Sequence, residues 1–171
     1  MKNVFTAKYL QHLSKKNKDG GFTLIELLVV IIIVGVLAAI ALPSFLNQIG
    51  KARGSEAKSS LGTINRAQQA YRLERNTFSA DLANLDANIT GKFYTYAATA
   101  GADAAFATHT ATTTEADLKG YSSGVSQNAD DFDQLICETA EPVASGASAT
   151  IPASAAAVQA GTCAGTDLDV D

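Results

Sequence analysis

A single carboxylate, Glu26, stands in the run from Leu24 to Leu42, which holds no other charged side chain. A charge inside an apolar helix is costly and is by default there for function. It is preceded by Lys18-Asp19-Gly20-Gly21 and then by Phe22-Thr23-Leu24-Ile25, so that a glycine sits immediately before a phenylalanine. In a dry bundle of apolar helices an unpaired carboxylate is expensive, and a cation in register offsets that cost. Such a pair fixes register more than it adds net stability.

Other reactive side chains are few. Cys137 and Cys163 are the two cysteines. One even pair beyond a membrane segment reads as a single disulfide in an oxidising compartment. His12 and His109 are the two histidines, and neither lies at ligand spacing from a cysteine. With His109 alone beyond the leader, no Ser-His-Asp set can form, and His109 reads as structural. The glycines are isolated and make no phosphate loop. Asp130, Asp131 and Asp133 form an acidic cluster, but no full calcium loop with a closing Glu surrounds them, so a solvated loop is expected. Asn88-Ile89-Thr90 matches a glycosylation sequon, a short pattern that arises often by chance. No catalytic residue, metal or cofactor is expected, and neither is an enzyme.

The elements that position these residues follow from an uneven chain. Its 171 residues, 47% hydrophobic and 18% charged, suit one domain. Leu27 to Leu42 carries no polar side chain, and Phe22–Glu26 extends the run up to Pro43. As a helix this spans about 31 Å, close to the hydrocarbon thickness of a bilayer. A chain this short cannot wrap such a helix on all sides, so a membrane or an oligomer must bury it. Residues 1–21 are net +4, residues 45–75 again net +4, and residues 76–171 net −11. Lysines before the run and acids after it put the N-terminus in the cytoplasm and the C-terminal region outside. The acidic region argues against nucleic acid as the main partner. Ala39-Ile40-Ala41 has the form of a signal-peptidase site, but the apolar run is longer than an ordinary signal peptide requires.

The stretch from Gly21 through Phe22-Thr23-Leu24-Ile25-Glu26-Leu27-Leu28-Val29-Val30 to Pro43 closely resembles the class III leader of type IV pilins and pseudopilins. The resemblance is strong over residues 18–46 and moderate to about residue 85. It implies cleavage between Gly21 and Phe22, with Gly21 required because the peptidase site tolerates no side chain there. It implies N-methylation of Phe22 by the same enzyme, and pairing of Glu26 with the Phe22 amine of a neighbouring subunit. It implies that Pro43 marks a bend or melted stretch of a long helix. The 21-residue leader is long for pilins that begin with Phe; Asn65–Tyr71 and Leu135–Glu138 are similar to cyanobacterial-type pilins, where such leaders occur.

From Ser44 the pattern turns amphipathic. Phe45, Ile49, Ala52, Ala57, Leu61, Ile64, Ala67 and Tyr71 recur at helical spacing, and the helix should end near Asn76. Gly50 and Gly54 have the spacing of a close helix contact, but in a polar stretch this reads as coincidence. Ser79-Ala80-Asp81-Leu82 offers a cap for a short turn ending near Leu85. Phe93–Thr99, Ala104–Thr112, Tyr121–Val125 and Gln134–Thr139 read as strands. Residues 143–162 are nearly all small and should bury little. The fold expected is α+β: a long N-terminal helix packed on a small antiparallel sheet, with a disulfide-bounded C-terminal loop. The expected divisions are a cleaved leader 1–21, a transmembrane and assembly helix 22–43, its amphipathic half 44–76, and a β-rich head 77–171.

The function this implies is a structural subunit of an extracellular type IV pilus, serving motility, adhesion or DNA uptake. Its expected partners are other copies of the subunit, the prepilin peptidase and methylase, the inner-membrane assembly machinery, and membrane lipid before assembly. Two alternatives share the N-terminal motif. A type II secretion pseudopilin is one; the disulfide disfavours it, since the commonest pseudopilins lack one. A minor pilin that binds DNA or a surface is the other, and Lys92 and Lys119 are the only cations its head could offer.

Overall fold

The computed structural model describes residues 21–87, 89–98, 105–129, 131–152, 154–163 and 168–169. The chain divides into two compact units, Met1–Phe45 and Leu46–Asp171.

In the first unit the described residues form the start of helix α1 (Leu24–Arg75). Thr23 and Glu26 close its first turn, as set out below. All of its described side chains are exposed. Pro43 lies inside the helix. Proline lacks the N–H that would reach the carbonyl four residues back, yet helical geometry continues on both sides. The helix runs through Pro43 because one lost bond does not unwind the neighbouring turns.

The second unit carries the remainder of α1, which buries Gly54, Ala57, Leu61, Ile64, Asn65 and Gln68 on one face. The helix stops at Arg75, where Asn76 takes a left-handed conformation (φ 57°) that Asn tolerates and that ends helices. A 3-10 turn follows at Leu82–Asn84, its first turn capped by the Asp81 side chain accepting from Ala83 N–H. Five antiparallel strands then pair in sequence order: β1 (Tyr94–Ala98), β2 (Phe106–Thr113), β3 (Tyr121–Gln127), β4 (Phe132–Glu138) and the two-residue β5 (Leu168–Asp169). The first four fall on the expected stretches, apart from Thr99 and Ala104, which lie outside the described residues.

Alternation along the strands gives the sheet two covered faces. On one, Tyr94, Ala111 and Tyr121 pack with Ala57, Leu61 and Ile64 of α1. The Tyr94 and Tyr121 rings meet edge to face, with centroids 5.8 Å apart. A Cβ on Gly54 would overlap the Tyr121 hydroxyl. Gly54 thus makes room for the sheet, whereas a Cβ on Gly50 would meet nothing within 4 Å, so the spacing of the two glycines builds no helix contact. Past the helix end, Phe78 continues this core with Ala107 and Val125.

Most described residues of 143–162 stay exposed or half-buried, as expected, and a few of them seat on the opposite face of the sheet. Ala149, Pro152 and Val158 are buried, and a short helix α2 (Ala155–Gln159) forms with Ser154 as its cap. Ala149 and Val158 pack with Leu135 and Cys137 of β4. Small residues on the sheet make this possible. Ser122 Oγ donates to the Thr150 carbonyl at 2.8 Å, and a Cβ on Gly124 would come within 2.6 Å of Val158. Each contact is slight, but the close approach sums them. The Cys137–Cys163 disulfide closes this segment across 26 residues, which by loop-closure entropy is worth about 3.5 kcal/mol.

Candidate functional site

The start of α1 is built by its own residues. Thr23 N–H donates to Glu26 Oε2 at 2.8 Å, the Thr23 hydroxyl donates to the same oxygen at 2.9 Å, and Glu26 N–H donates to Thr23 Oγ1 at 3.2 Å. This is a capping box, in which Thr-x-x-Glu satisfies donors that the first helical turn leaves without partners. Its signal lies in the sequence at Thr23 and Glu26, three residues apart. The carboxylate thus has an intramolecular task besides any intermolecular one, and both end on the same group.

Gly21 and Phe22 precede the helix in non-helical backbone, and Phe22 is 83% exposed. A Cβ on Gly21 would meet nothing within 4 Å. Nothing in the described fold therefore calls for glycine there. From Leu24 to Leu46 the large apolar side chains are exposed, Ile25, Ile31, Leu37 and Phe45 among them. The most apolar window of the helix has a mean hydropathy of 3.1, with no residue of it buried in the chain. A continuous apolar surface of this size marks contact with a membrane or with other protein.

The remaining candidates that are described lie in the second unit. Cys137 and Cys163 are bonded. His109 is fully buried in β2, and its Nε2 lies 2.9 Å from Gln68 Nε2. The Gln68 amide is held from its other side: its Nε2 donates to the Ser79 carbonyl and its Oε1 accepts from Ser79 N–H. Turning the amide over would break both bonds to Ser79, so Gln68 must donate to His109 and the imidazole must be neutral with Nε2 as acceptor. Burial accordingly pushes the His109 pKa down, to about 4. Asp131 accepts from Phe132 N–H, and Asp133 accepts from the Asn128 amide. Among the described residues no group of three metal-ligating side chains converges. Asp130, and Asn88 of the sequon, lie outside the described residues, as does the leader before Gly21.

The basic residues of α1 divide in two. Arg53 pairs with Glu115 at 2.6 Å and lies over the Phe93 ring. Lys58 and Lys119 both reach Glu138, at 3.1 and 2.8 Å. Burial pushes the Glu138 carboxyl up, but the hydrogen bonds from Lys119 and Lys58 outweigh it and hold the group below its ordinary value. Arg66, Arg72 and Arg75 have no carboxylate within ion-pair distance among the described residues.

Two family models match the chain. The prokaryotic N-terminal methylation motif covers residues 16–42, and type IV pilin-like G and H covers residues 54–164. Among similar proteins, the type IV major pilin protein PilA of Myxococcus xanthus is 43% identical over 67 residues, 39% of this chain and 30% of that protein. Fimbrial protein EcpC of Eikenella corrodens is 39% identical over 80 residues, 46% of this chain and 52% of that protein. Type II secretion system core protein G of Aeromonas hydrophila is 34% identical over 73 residues, 43% of this chain and 51% of that protein. The chain thus spans about half, or less, of the length of these relatives.

Proposed function

The chain belongs to the type IV pilin-like G and H family, and from that membership we propose that it is a structural subunit of an extracellular type IV pilus. One observation carries this reading: an apolar helix surface from Leu24 to Leu46 left wholly uncovered by its own chain, opening on a capped carboxylate and matched by the methylation motif. A surface of that kind must be covered by lipid and then by other subunits. Residues 1–21 act as the leader, 22–43 as the membrane and assembly helix, 44–76 as its amphipathic half, and 77–171 as the head.

In this reading prepilin peptidase cuts between Gly21 and Phe22 and methylates the new Phe22 amine. The exposed, non-helical backbone at Gly21 supports the cut, since a peptidase needs an extended substrate. Glu26 pairs with the Phe22 amine of a neighbouring copy, and Pro43 marks a bend or melted stretch where the assembly helix gives way to its amphipathic half. The subunit waits in the inner membrane with its head outside, and the assembly machinery moves it into the fibre. N-terminal mass spectrometry of sheared surface protein tests this: a chain beginning with N-methyl-Phe22 is expected, and a start at Leu42 would refute it.

The second reading is a type II secretion pseudopilin, favoured by the likeness to the Aeromonas protein. The head's disulfide favours the pilus. Abundance of the chain in sheared surface filaments separates the two, since a pseudopilin would be missing from them.

A further inference from the structure

A cavity of about 660 Å³ opens within the second unit, between the first turns of its helix and the loops beside β3 and β4. Its lining carries three ammonium groups, Lys51, Lys58 and Lys119, and three carboxylates, Asp117, Glu138 and Glu141. Glu138 accepts from both Lys58 and Lys119. An ammonium has three donors, so each of these lysines keeps donors beyond that bond. Lys51, Asp117 and Glu141 are exposed and have no ion-pair partner among the described residues. The lining is therefore neutral in sum but presents free groups of both signs.

We propose that this cavity holds the head group of a zwitterionic aminoalkyl phospholipid while the subunit is in the membrane. The phosphate would accept from Lys51 and from the spare donors of Lys58 and Lys119, and the primary amine would donate to Glu141 and Asp117. Charge complementarity selects this chemistry. A wholly anionic head group would set its charge against Asp117 and Glu141. A quaternary amine has no N–H for those carboxylates and is instead recognised by aromatic cages, whereas Tyr121 is the single aromatic residue of the lining. Chain position selects the lipid as the source of the head group. The lining begins at Leu46, three residues beyond Pro43, and Lys51 follows within about 12 Å of helix rise. Basic side chains this near a bilayer surface meet lipid phosphates first. The inference rests on the proposed reading that the apolar run lies in a bilayer.

The test uses the full chain in nanodiscs of equal parts phosphatidylethanolamine, phosphatidylcholine and phosphatidylglycerol, released into mild detergent for native mass spectrometry. Phosphatidylethanolamine should be retained several-fold above its share. The Lys51→Gln, Glu141→Gln double variant should return retention to that share while its circular dichroism stays that of the parent. Equal retention of the three lipids overturns the proposal. So does preference for phosphatidylglycerol, which would mark a plain basic surface, and so does preference unchanged in the double variant. Millimolar soluble phosphoethanolamine should leave the lipid in place; if it displaces the lipid freely, the assignment to a membrane source falls. A chain that does not enter the bilayer removes both this inference and the pilus reading, whereas entry without selectivity removes this inference alone.

Discussion

Within one helix, residues 24–45 and residues 46–75 treat apolar side chains in opposite ways. In the first stretch Leu37 is 61% exposed and its apolar neighbours are exposed likewise. In the second, Ala57, Leu61 and Ile64 are fully buried against the sheet. Stability in the second stretch is internal to the chain, through about 25 cal/mol for each Å² of apolar area removed from water. In the first stretch that same term can be collected only from lipid or from another subunit. The apolar residues of one unit therefore serve folding, and in the proposed reading those of the other serve location and assembly.

Glu26 should give the largest effect, because it is the one charged group of the assembling stretch. Glu26→Ala should be processed and inserted yet form few or no fibres. Glu26→Gln sharpens the point. A Gln at this position still completes a capping box with Thr23 but carries no charge for a neighbour's amine. Fibres should remain scarce in both variants, scored as subunit in the sheared fraction. Normal fibres from Glu26→Gln would reduce the residue to a helix cap.

The next test breaks the comparison directly. Leu61→Ala should cost about 2–5 kcal/mol of head stability by opening a cavity in a packed core. Leu37→Ala should leave head unfolding unchanged, because its side chain is exposed, while it weakens assembly. Thermal unfolding of the full chain in detergent, followed by near-ultraviolet circular dichroism, reads both. Equal shifts for the two variants would erase the distinction between the stretches.

How far the sequence carried the reading follows the same division. The apolar run, the helix stop near Asn76 and four strands were legible because local periodicity encodes them. The capping box of Thr23 and Glu26 was also local and readable. The seating of Ala149 and Val158 was not, because Ala, Ser, Gly and Thr give little apolar signal and the seat for Val158 is made by Gly124 of β3. Gly54 was not legible for a similar reason: the residue that requires its bare Cα, Tyr121, lies 67 positions on along the chain. The Gln68 amide that donates to His109 was hidden likewise, since Ser79 and β2 meet it only in the folded head. Non-local contacts between small or polar residues leave no periodic trace.

His109 gives the head a pH response of its own. Its pKa falls from an ordinary 6.5 to about 4 because burial disfavours the charged form. The unfolded chain thus binds the proton more readily, and stability declines as pH falls from about 6.5 to about 4. The loss is at most about 3 kcal/mol at the lower end. Protonation would also set an N–H on His109 Nε2 against the Gln68 amide donor. Glu138, held below the ordinary carboxylate value, loses its contribution in a more acidic window. Denaturant midpoints of the full chain from pH 7 to pH 4 should fall for the parent and flatten for His109→Gln. A parent that is flat over that range would contradict the neutral, buried imidazole.

The smallest effect belongs to the charges at the end of α1. Arg53 and Lys58 already have carboxylates in their own head, whereas Arg66, Arg72 and Arg75 have none among the described residues. Arg66 donates to the Thr63 hydroxyl, and Arg72 and Arg75 lie over the rings of Phe78 and Tyr71. Beside them Leu73 is 69% exposed. Residues 76–171 carry net −11, so an acidic head of one subunit suits this basic end of another. Exposed ion pairs are worth about 0–1 kcal/mol each and are screened within about 8–10 Å at ordinary ionic strength. Their effect should fall on register and yield, with total stability left to the apolar helix. Arg66→Glu, Arg72→Glu and Arg75→Glu together should lower fibre yield several-fold at low salt and less at high salt, with head unfolding little changed. Asp86→Lys with Asp131→Lys should restore part of that yield. Arg53→Ala should do the reverse, lowering head stability by about 1 kcal/mol and sparing assembly. Unchanged yield after the triple reversal would leave the three arginines as a solvated helix face.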